Sequence, residues 1–300
     1  MSKPIIFDIK NKKTIKPNNL NLEKQLQNII EQNMESIFGV KFLASEYTFK
    51  DNVNGEGRID SLGLDESNRP VVIEYKLSEN KTVINQTLFY MDWLKDHKAD
   101  FELLVLQKFG KDVKEKIEWV PRGICIAETF TKYDNGAVNQ MNVDISLIQY
   151  YIYGENHELI AFESMNRIIH DNSNNSNQYN SYEHQTYSYI YNNLDATLKG
   201  LVDEISFRIL NIAEDVSESE LKYYKAFKTI KNFASLVLNK SKIKIYLNID
   251  YNHDNMKDFN NIKDVKNKGH WGNGNIEISI NNIDEFNSIF HFIKESYDIN

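Results

Sequence analysis

Apolar residues recur at helical spacing in the first forty residues and then alternate with polar residues. A helix is predicted to begin near Leu20, after a cap at Asn18 or Asn19, and to end before Gly39. Its apolar stripe consists of Leu22, Leu26, Ile29 and Ile30. Three extended runs follow, bounded by turn-forming residues, at 42–49, 58–64 and 70–77. This order predicts a helix followed by an antiparallel meander.

The pattern then changes between helical and extended several times. Residues 82–97 lack Gly and Pro and predict a second helix, with the apolar stripe Ile84, Leu88, Met91 and Leu94. Residues 100–109 either continue that helix or form another. The next predicted elements are a short buried strand at 123–128, a short helix at 134–141, and a closing hairpin from 145–153 and 158–162.

A polar stretch rich in Asn and Ser, HDNSNNSNQYNSYEHQ, interrupts the periodic pattern. Such a stretch buries too little apolar area to offset its ordering entropy, so we predict a domain at 1–168, a linker at 169–185 and a second domain at 186–300. The second domain is predicted to be α+β, with helices at 186–212, 218–234 and 284–297 and strands at 236–247 and 274–280.

Composition narrows the class of protein. The 300 residues are 41% hydrophobic, and no apolar run approaches the roughly 18 residues of a spanning helix, so we expect a soluble, cytoplasmic protein without membrane contacts. A net charge of −8 argues against nonspecific coating of nucleic acid but leaves room for a local basic groove. Five lysines among the first nineteen residues indicate either a basic arm or a solvated tail. Cys125 lies in GICIAETF and is expected to be a buried structural residue.

Charged residues interrupt the apolar run of the third strand. Val72, Glu74 and Lys76 share one face because side chains alternate along a strand. If 58–64 pairs antiparallel with this strand, Asp60 lies on the same face within a few ångströms of Glu74. Two carboxylates suit Mg²⁺, with Mn²⁺ as a substitute, and an adjacent lysine can assist an attacking water or stabilise charge on phosphate. The alternative is an exposed ion pair, worth about 0–1 kcal/mol.

At these residues the sequence resembles the PD-(D/E)xK nuclease superfamily. The matching positions are Asp60, Glu74 and Lys76, over a resemblance that covers about residues 20–130. Glu23 in LEKQLQ matches the carboxylate of the family's first helix. Gln86 and Tyr90 in NQTLFY resemble the Gln-xxx-Tyr motif of the RecB-like branch. The departure is Ile59, where the family pattern has Pro.

The resemblance implies a restriction-endonuclease-like fold and a metal-dependent activity. The expected fold is an α/β protein with an αβββαβ core, a mixed sheet flanked by helices. Expected metal ligands are Asp60, Glu74, the Tyr75 backbone carbonyl and Glu23, with Lys76 as the catalytic amine. Gln86, Tyr90 and Arg58 are expected either to contact nucleic acid or to support the metal ligands.

Several of these residues have ordinary alternative roles. Glu23 can be a first-turn acid favoured by the helix N-terminus. Tyr90 can be packed in the core beside a polar Gln86. Arg58 can meet a phosphate or form a salt bridge within the sheet.

The last third of the chain resembles a C-terminal domain of unknown function that occurs alone or after such nucleases. The resemblance covers about residues 218–297 and implies no activity. Lysines and an aromatic residue there predict either a stacking surface for single-stranded nucleic acid or nucleotide, or solvated faces: Lys225, Lys228, Lys231, Lys263, Lys266, Lys268 and Trp271. Within this group Lys231, Lys268 and Trp271, together with His270, are the candidate surface. GHWGNGN is expected to be a tight turn rather than a phosphate loop.

The sequence therefore supports three functions. The first is a DNA endonuclease with Mg²⁺ as cofactor, in defence or repair, for which a homodimer is one arrangement because two sites can cut two strands. The second is a non-catalytic nucleic-acid-binding or protein-interaction module on the same fold. The third is a nucleotide-binding regulator that acts through the C-terminal domain.

Overall fold

The chain forms two compact units, Met1–Asn166 and Arg167–Asn300. The computed structural model describes residues 3–51, 55–77, 82–141, 143–166, 185–266 and 268–300. All of the predicted linker except Gln185 lies outside the described residues.

The first unit is a mixed sheet with helices. Its strands are β1 (Ile6–Asp8), β2 (Lys13–Ile15), β3 (Pro17–Asn18), β4 (Lys41–Asp51), β5 (Gly55–Leu64), β6 (Pro70–Lys76), β7 (Arg122–Ala127), β8 (Ile145–Tyr153) and β9 (Leu159–Ser164). Its helices are α1 (Glu23–Phe38), α2 (Val83–Asp96), α3 (Lys98–Phe109), α4 (Lys111–Lys114) and α5 (Lys132–Gln140). The order from α1 to β7 contains the predicted αβββαβ core, with α3 and α4 added before β7.

The sheet combines antiparallel and parallel pairing. Its order is β3-β8-β7-β6-β5-β4, and β9 pairs along the opposite edge of β8. The pairs β4–β5 and β5–β6 are antiparallel, whereas β6–β7 and β7–β8 are parallel. Parallel neighbours need crossover connections, which α2 to α4 and α5 provide. The α/β fold class predicted from the sequence is confirmed.

Helix α1 packs through a stripe at four-residue spacing. Leu26, Ile30, Met34 and Phe38 are buried along it. Gly39 ends the helix at φ 65°, a left-handed conformation that glycine adopts without a Cβ penalty, and a Cβ there would lie 2.4 Å from the Glu66 side chain. The predicted end before Gly39 is confirmed.

The predicted start of α1 is wrong by three residues. Asn18 belongs to β3, and its side chain donates to the Gly154 carbonyl rather than capping a helix. The N–H of Leu22 is satisfied by the Gln25 side chain, so the helix begins at Glu23.

The lysine-rich N-terminal segment is folded onto the first unit. Strands β1 and β2 form an antiparallel hairpin. Lys3 lies 3.0 Å from Glu128, and the hydroxyl of Tyr153 donates to the Pro4 carbonyl. From residue 3 onward, the segment is therefore not a solvated tail.

A buried ion network fixes the connection between β5 and β6. Arg69 donates to Asp65 at 2.9 Å and to Asp144 at 2.7 Å, and all three side chains are almost fully buried. Asp65 also accepts from the backbone N–H groups of Ser67 and Arg69. The turn is thereby held to the start of β8, which sets the register of β5 against β6.

The second unit is an antiparallel sheet with helices on one face. Its helices are α6 (Tyr187–Asn192), α7 (Ala196–Leu210), α8 (His253–Met256) and α9 (Ile283–Ile299). Its strands are β10 (Ser217–Glu220), β11 (Lys225–Lys228), β12 (Asn232–Asn239), β13 (Lys242–Leu247), β14 (Ile262–Asp264) and β15 (Ile276–Ile280), in the order β10-β11-β12-β13-β15-β14. Side chains from α6, α7 and α9 pack with one face of the sheet in a single core.

The helix predicted at 218–234 is wrong. That segment spans β10, β11 and the start of β12, and the predicted strand 236–247 is a hairpin of β12 and β13. Lys225 is buried on β11, with its amine 3.2 Å from a Glu218 carboxylate oxygen, and Lys228 is also buried. These lysines are not the solvated face of a helix.

Candidate active site

The backbone pairing between β5 and β6 stops at the two predicted carboxylates. Regular pairing ends with Ser61 opposite Ile73. Beyond that point Glu74 Oε1 accepts from the N–H of Asp60 at 3.1 Å, and Asp60 Oδ2 accepts from the N–H of Tyr75 at 3.2 Å. The two side chains thus replace the next backbone hydrogen bonds and lie together between the strands, as the alternation pattern predicted.

The neighbouring strand β4 is also irregular beside Asp60. Pairing of β4 with β5 skips Glu46, which has φ 47°, although the residues on both sides are paired. The carbonyl of Asp60 instead accepts from Gln27 Nε2 at 2.7 Å. Both backbone groups of Asp60 are therefore held by side chains, which fixes the position of its carboxylate without a regular ladder.

Both candidate carboxyl groups are weaker acids than usual, chiefly because they are buried. Burial, together with the negative charge of Asp60, raises the pKa of Glu74 from 4.5 to about 8. Burial also raises the pKa of Asp60, while a backbone hydrogen bond from Tyr75 and the charge of Lys76 act in the opposite direction. Ionising both carboxyl groups together is therefore unfavourable near neutral pH.

Lys76 reaches the site from the end of β6. It is on the strand face of Glu74, and its charge lowers the pKa values of both carboxyl groups. Its amine lies 3.4 Å from Glu23 Oε2, and its side chain is 15% exposed against 48% for Glu23. Glu23, predicted as a tentative metal ligand, therefore contacts the lysine.

A polar row on α1 adds residues that the sequence interpretation missed. Gln27 Nε2 donates to Glu31 at 2.8 Å as well as to Asp60, and Ser61 Oγ donates to Glu31 at 2.6 Å. The hydroxyl of Tyr75 in turn donates to Ser61 Oγ at 2.9 Å. Glu23, Gln27 and Glu31 are spaced by four residues beside the apolar stripe of α1, and that spacing is visible in the sequence.

Gln86 and Tyr90 on α2 lie on the face of the sheet opposite α1, the face on which Glu74 lies. Tyr90 is 7% exposed and packs edge-on against Phe49 at 5.9 Å. Its pKa is raised mainly by burial and further by the charge of Glu74, which places it near the carboxylates. Gln86, one turn earlier, has a buried Oε1 with no hydrogen-bond partner within the described part of the chain.

Arg58 and Tyr75 complete the predicted set. Arg58 is exposed on β5, and Nη1 lies 3.9 Å from Glu46, so the salt bridge within the sheet is present. Its charge also lowers the pKa of Asp60. The Tyr75 N–H points at Asp60, and because the N–H and C=O of one strand residue face the same neighbour, its carbonyl points into the same gap.

The donor set fits a hard cation held in part by its substrate. Two adjacent carboxylates and a carbonyl are oxygen ligands of the kind Mg²⁺ prefers, with open positions for water and phosphate. Over the described ranges, no cluster of three or more His, Cys, Asp or Glu side chains is arranged to hold a metal. A site here therefore depends on Asp60 and Glu74, and Gln86 Oε1 on α2, which has no hydrogen-bond partner among the described residues, is a further oxygen acceptor.

The candidate residues of the second unit lie in two loops. Lys231 lies in the turn after β11, and its carbonyl accepts from the Thr229 N–H. Lys268 donates to the Asp264 carbonyl at 3.2 Å. His270 stacks on Tyr246 with centroids 4.4 Å apart, and Trp271 stacks on Tyr223 at 3.9 Å.

Cys125 is buried on β7, and burial raises the pKa of its thiol to about 12. Its sulfur lies 3.2 Å from Thr87 Oγ1. These observations support a structural role.

Comparison with known proteins matches the second unit to a family and the whole chain to a relative. Residues 188–300 match the model of a domain of unknown function, DUF5655. An uncharacterized protein of Haemophilus influenzae is 28% identical over 295 residues, covering 94% of this chain and 95% of that protein. The similarity to this relative therefore extends over both units.

Similar solved structures include a repair endonuclease from Pyrococcus abyssi, at 20% identity and a TM-score of 0.27, and the EndoMS-dsDNA2 complex, at 22% identity and 0.28. They cover 43% and 44% of this chain, which spans about half of theirs, 47% in each case. At these TM-scores the likeness carries no argument, and the interpretation of the site depends on its own geometry. None of the described helices combines the length and hydropathy needed to cross a bilayer.

Proposed function

We propose that the first unit is a Mg²⁺-dependent nuclease that hydrolyses phosphodiester bonds in DNA. The observation that carries the proposal is the opening between β5 and β6, where Asp60 and Glu74 take over backbone hydrogen bonds beside Lys76. A protein gains nothing in stability from placing two carboxylates together in a partly buried gap. A divalent cation reverses the sign of that interaction.

In this proposal Asp60, Glu74 and the Tyr75 carbonyl hold the metal. When bound, Mg²⁺ supplies positive charge that polarises the phosphodiester and acidifies a bound water. Asp60 and Glu74 are positioned for this by the hydrogen bonds from the backbone of β6, the backbone of β5 and Gln27. The two carboxylates are therefore held in position before the substrate binds.

Lys76 is the proposed catalytic amine. An ammonium has three donors, and one of them is directed to Glu23 at 3.4 Å, which leaves two for a water or a phosphate oxygen. Lys76 therefore orients the attacking water and stabilises negative charge that develops on the phosphate.

Arg58 is the proposed phosphate contact beside the reacting bond. It is exposed two residues before Asp60, and the 3.9 Å distance to Glu46 is a loose ion pair that a phosphate can replace. DNA is the proposed substrate, since its reacting phosphodiester is flanked by further phosphates that Arg58 can contact.

The test is a cutting assay on plasmid and on single-stranded, duplex, mismatched and branched DNA, with Mg²⁺, Mn²⁺ or EDTA. Cutting is expected with either metal and not with EDTA. Asp60→Asn and Lys76→Met are each expected to lower the rate by at least about 100-fold. The matched controls are Glu56→Gln, an exposed acid on the same strand, and Lys50→Met, its exposed partner at 3.7 Å, and both should cut normally.

Binding of Mn²⁺, followed by electron paramagnetic resonance, separates metal binding from cutting. Asp60→Asn should lose the bound Mn²⁺ signal, whereas Lys76→Met should retain it. Cutting that persists in Asp60→Asn would assign the activity to another site. DNA binding without any cutting by the wild type would favour the non-catalytic module.

A further inference from the structure

An exposed tryptophan sits on the face of the second unit's sheet that α6, α7 and α9 do not cover. Trp271 is 52% exposed even though it stacks on Tyr223 at 3.9 Å. Next to it, His270 stacks nearly parallel on Tyr246, with an interplanar angle of 7°. We call Tyr223, Tyr246, His270 and Trp271 the aromatic platform. Its rings come from two loops and from β13; Trp271 is exposed, Tyr223 and His270 are half-buried, and Tyr246 is buried beneath His270.

The loop that carries Trp271 is fixed to the sheet on its C-terminal side. The Asn273 N–H donates to Ser235 Oγ at 3.0 Å, and the Asn275 N–H donates to the Leu247 carbonyl at 2.9 Å. Gly272 has φ 84°, and a Cβ at this position would lie 2.9 Å from Ser235 Cβ. The backbone therefore approaches the sheet closely, and Trp271 is held in place before any ligand binds.

Trp271 has more exposure than packing alone requires. The small cluster beneath them, which includes Leu221, Val237 and Val265, is already buried. The outer face of Trp271 covers none of these residues, because its inner face is occupied by Tyr223. The outer face of the indole is therefore accessible to a ligand.

Basic residues surround the platform. Lys222 lies over the Tyr223 ring at 5.2 Å, and Lys263 is exposed and close enough to lower the pKa of Glu277. Lys244 and the Tyr246 hydroxyl both donate to Glu277, at 2.8 and 2.7 Å, so this buried carboxylate is neutralised locally. Lys222 and Lys263 can therefore pair with phosphate, while the exposed acids of this region, Asp250 and Asp264, each accept a hydrogen bond from Lys266.

We propose that the aromatic platform binds single-stranded nucleic acid, with a base stacked on the outer face of Trp271 and the neighbouring phosphates near Lys222 and Lys263. Fixed aromatic faces within a basic surface form the usual binding mode for unpaired strands. Duplex bases are stacked on one another and leave no face free for an indole, so the single strand is the occupant that fits. This site lies in the second unit and does not depend on the Asp60 site.

The test is titration of the full chain with a dye-labelled oligothymidylate of about twelve nucleotides in EDTA, followed by fluorescence anisotropy. Metal-dependent cutting is absent under these conditions. Trp271→Ala is expected to weaken binding by about tenfold or more, and Trp271→Phe, which keeps a ring, by less. The matched control is Phe207→Ala on α7, because Phe207 is an apolar ring 63% exposed in the same unit, and it should bind as the wild type does.

Two further measurements separate stacking from charge. An abasic oligonucleotide of the same length should bind weakly and equally to the wild type and Trp271→Ala. Quenching of intrinsic fluorescence by unlabelled oligothymidylate should be larger in the wild type than in Trp271→Phe, since the other two tryptophans, Trp93 and Trp119, are common to both. Equal binding by Trp271→Ala and wild type, or equal binding of abasic and normal strands, would overturn the proposal.

Discussion

Glu74 is an acid that is 2% exposed, and the charge that raises its pKa most is that of another acid, Asp60. Because its pKa is raised to about 8 in the folded state, the folded protein binds more protons than the unfolded chain between about pH 4.5 and pH 8. The contribution of Glu74 to the free energy of unfolding is therefore present at low pH and is lost as the pH rises through that window. The metal-free protein is therefore destabilised by its own candidate site near neutral pH.

Glu74→Gln should stabilise the metal-free protein at pH 8, by on the order of 2 kcal/mol, and the difference should shrink toward pH 5. Glutamine keeps an oxygen that can accept from the Asp60 N–H but carries no charge. Urea unfolding in EDTA at pH 5, 6.5 and 8 measures the effect. Added Mg²⁺ should stabilise the wild type but not the variant.

The control for that series is Glu56→Gln, since the Glu56 side chain is 77% exposed and its removal should give no pH-dependent difference. A Glu74→Gln protein less stable than the wild type at pH 8 would show that the carboxylate is ionised and stabilised in the fold. The proposed cation site would then lose its main electrostatic support.

Glu23, at the start of α1, can either hold Lys76 in position or bind the metal. Its contact with Lys76 at 3.4 Å predicts a positioning role, so Glu23→Gln should slow cutting by roughly tenfold while leaving Mn²⁺ affinity unchanged. The measurements are the rate of plasmid cutting and Mn²⁺ binding by electron paramagnetic resonance. The control is Glu35→Gln on the same helix, which is exposed. A large loss of Mn²⁺ affinity in Glu23→Gln would instead make it a metal ligand.

Residue-scale prediction succeeded where the argument needed only local geometry. Strand alternation and one turn were enough to bring Asp60 and Glu74 together, and both act on adjacent backbone. The same approach missed Gln27, because its role depends on the carbonyl of Asp60, thirty-three residues away, being released from the β4 ladder. No local sequence pattern shows which backbone pairing between two strands is absent.

At the scale of elements, α1 contacts both β4 and β5 where their pairing is interrupted. Gln27 donates to the Asp60 carbonyl at 2.7 Å and to Ser45 Oγ at 3.2 Å, so one side chain spans β4 and β5 where their pairing is interrupted. Glu31 extends this contact to Ser61. The helix therefore supplies the hydrogen bonds that a regular ladder would have supplied.

Gln27→Leu should destabilise the protein by about 1–3 kcal/mol, because it leaves the Asp60 carbonyl without a donor in a partly buried place. It should also slow cutting, since the carboxylate of Asp60 loses its fixed backbone. Thermal unfolding and the plasmid assay measure the two effects. Gln32→Leu, on the exposed side of the same helix, is the matched control and should change neither. Normal stability in Gln27→Leu would mean that water replaces the amide.

Element prediction was accurate in the first unit and failed in part of the second. In the first unit each predicted run has its own turn residues, and α1, β4, β5, β6 and α2 fall close to their predicted positions. Between 218 and 234 the apolar residues Tyr223, Phe227, Ile230 and Ala234 recur every three or four residues, which is helical spacing. Strand pairing decides the outcome there, because Ser217–Glu220 and Lys225–Lys228 bond to each other and bury lysines that looked like a solvated face.

At the scale of the whole molecule, each unit contains a core of its own. The first includes Leu62, Val72 and Leu94, and the second includes Phe227, Ile245 and Phe286. Both sets of buried apolar residues are large enough to expect independent folding. The candidate site residues Asp60, Glu74, Lys76 and Glu23 all belong to the first unit, and the aromatic platform belongs to the second.

The final prediction follows from that division: residues 1–166, produced alone, should fold and bind Mn²⁺ with an affinity within about threefold of the full chain. Every element that positions Asp60 and Glu74, from α1 through α2 and β7, lies in that segment, so removing the second unit leaves the oxygen ligands unchanged. Circular dichroism and electron paramagnetic resonance provide the measurements, and the same segment carrying Asp60→Asn is the control that should fold but not bind. A folded segment with no Mn²⁺ binding, set against a full chain that binds, would show that the metal site needs a residue beyond position 166, and the two-carboxylate site would then be incomplete as proposed.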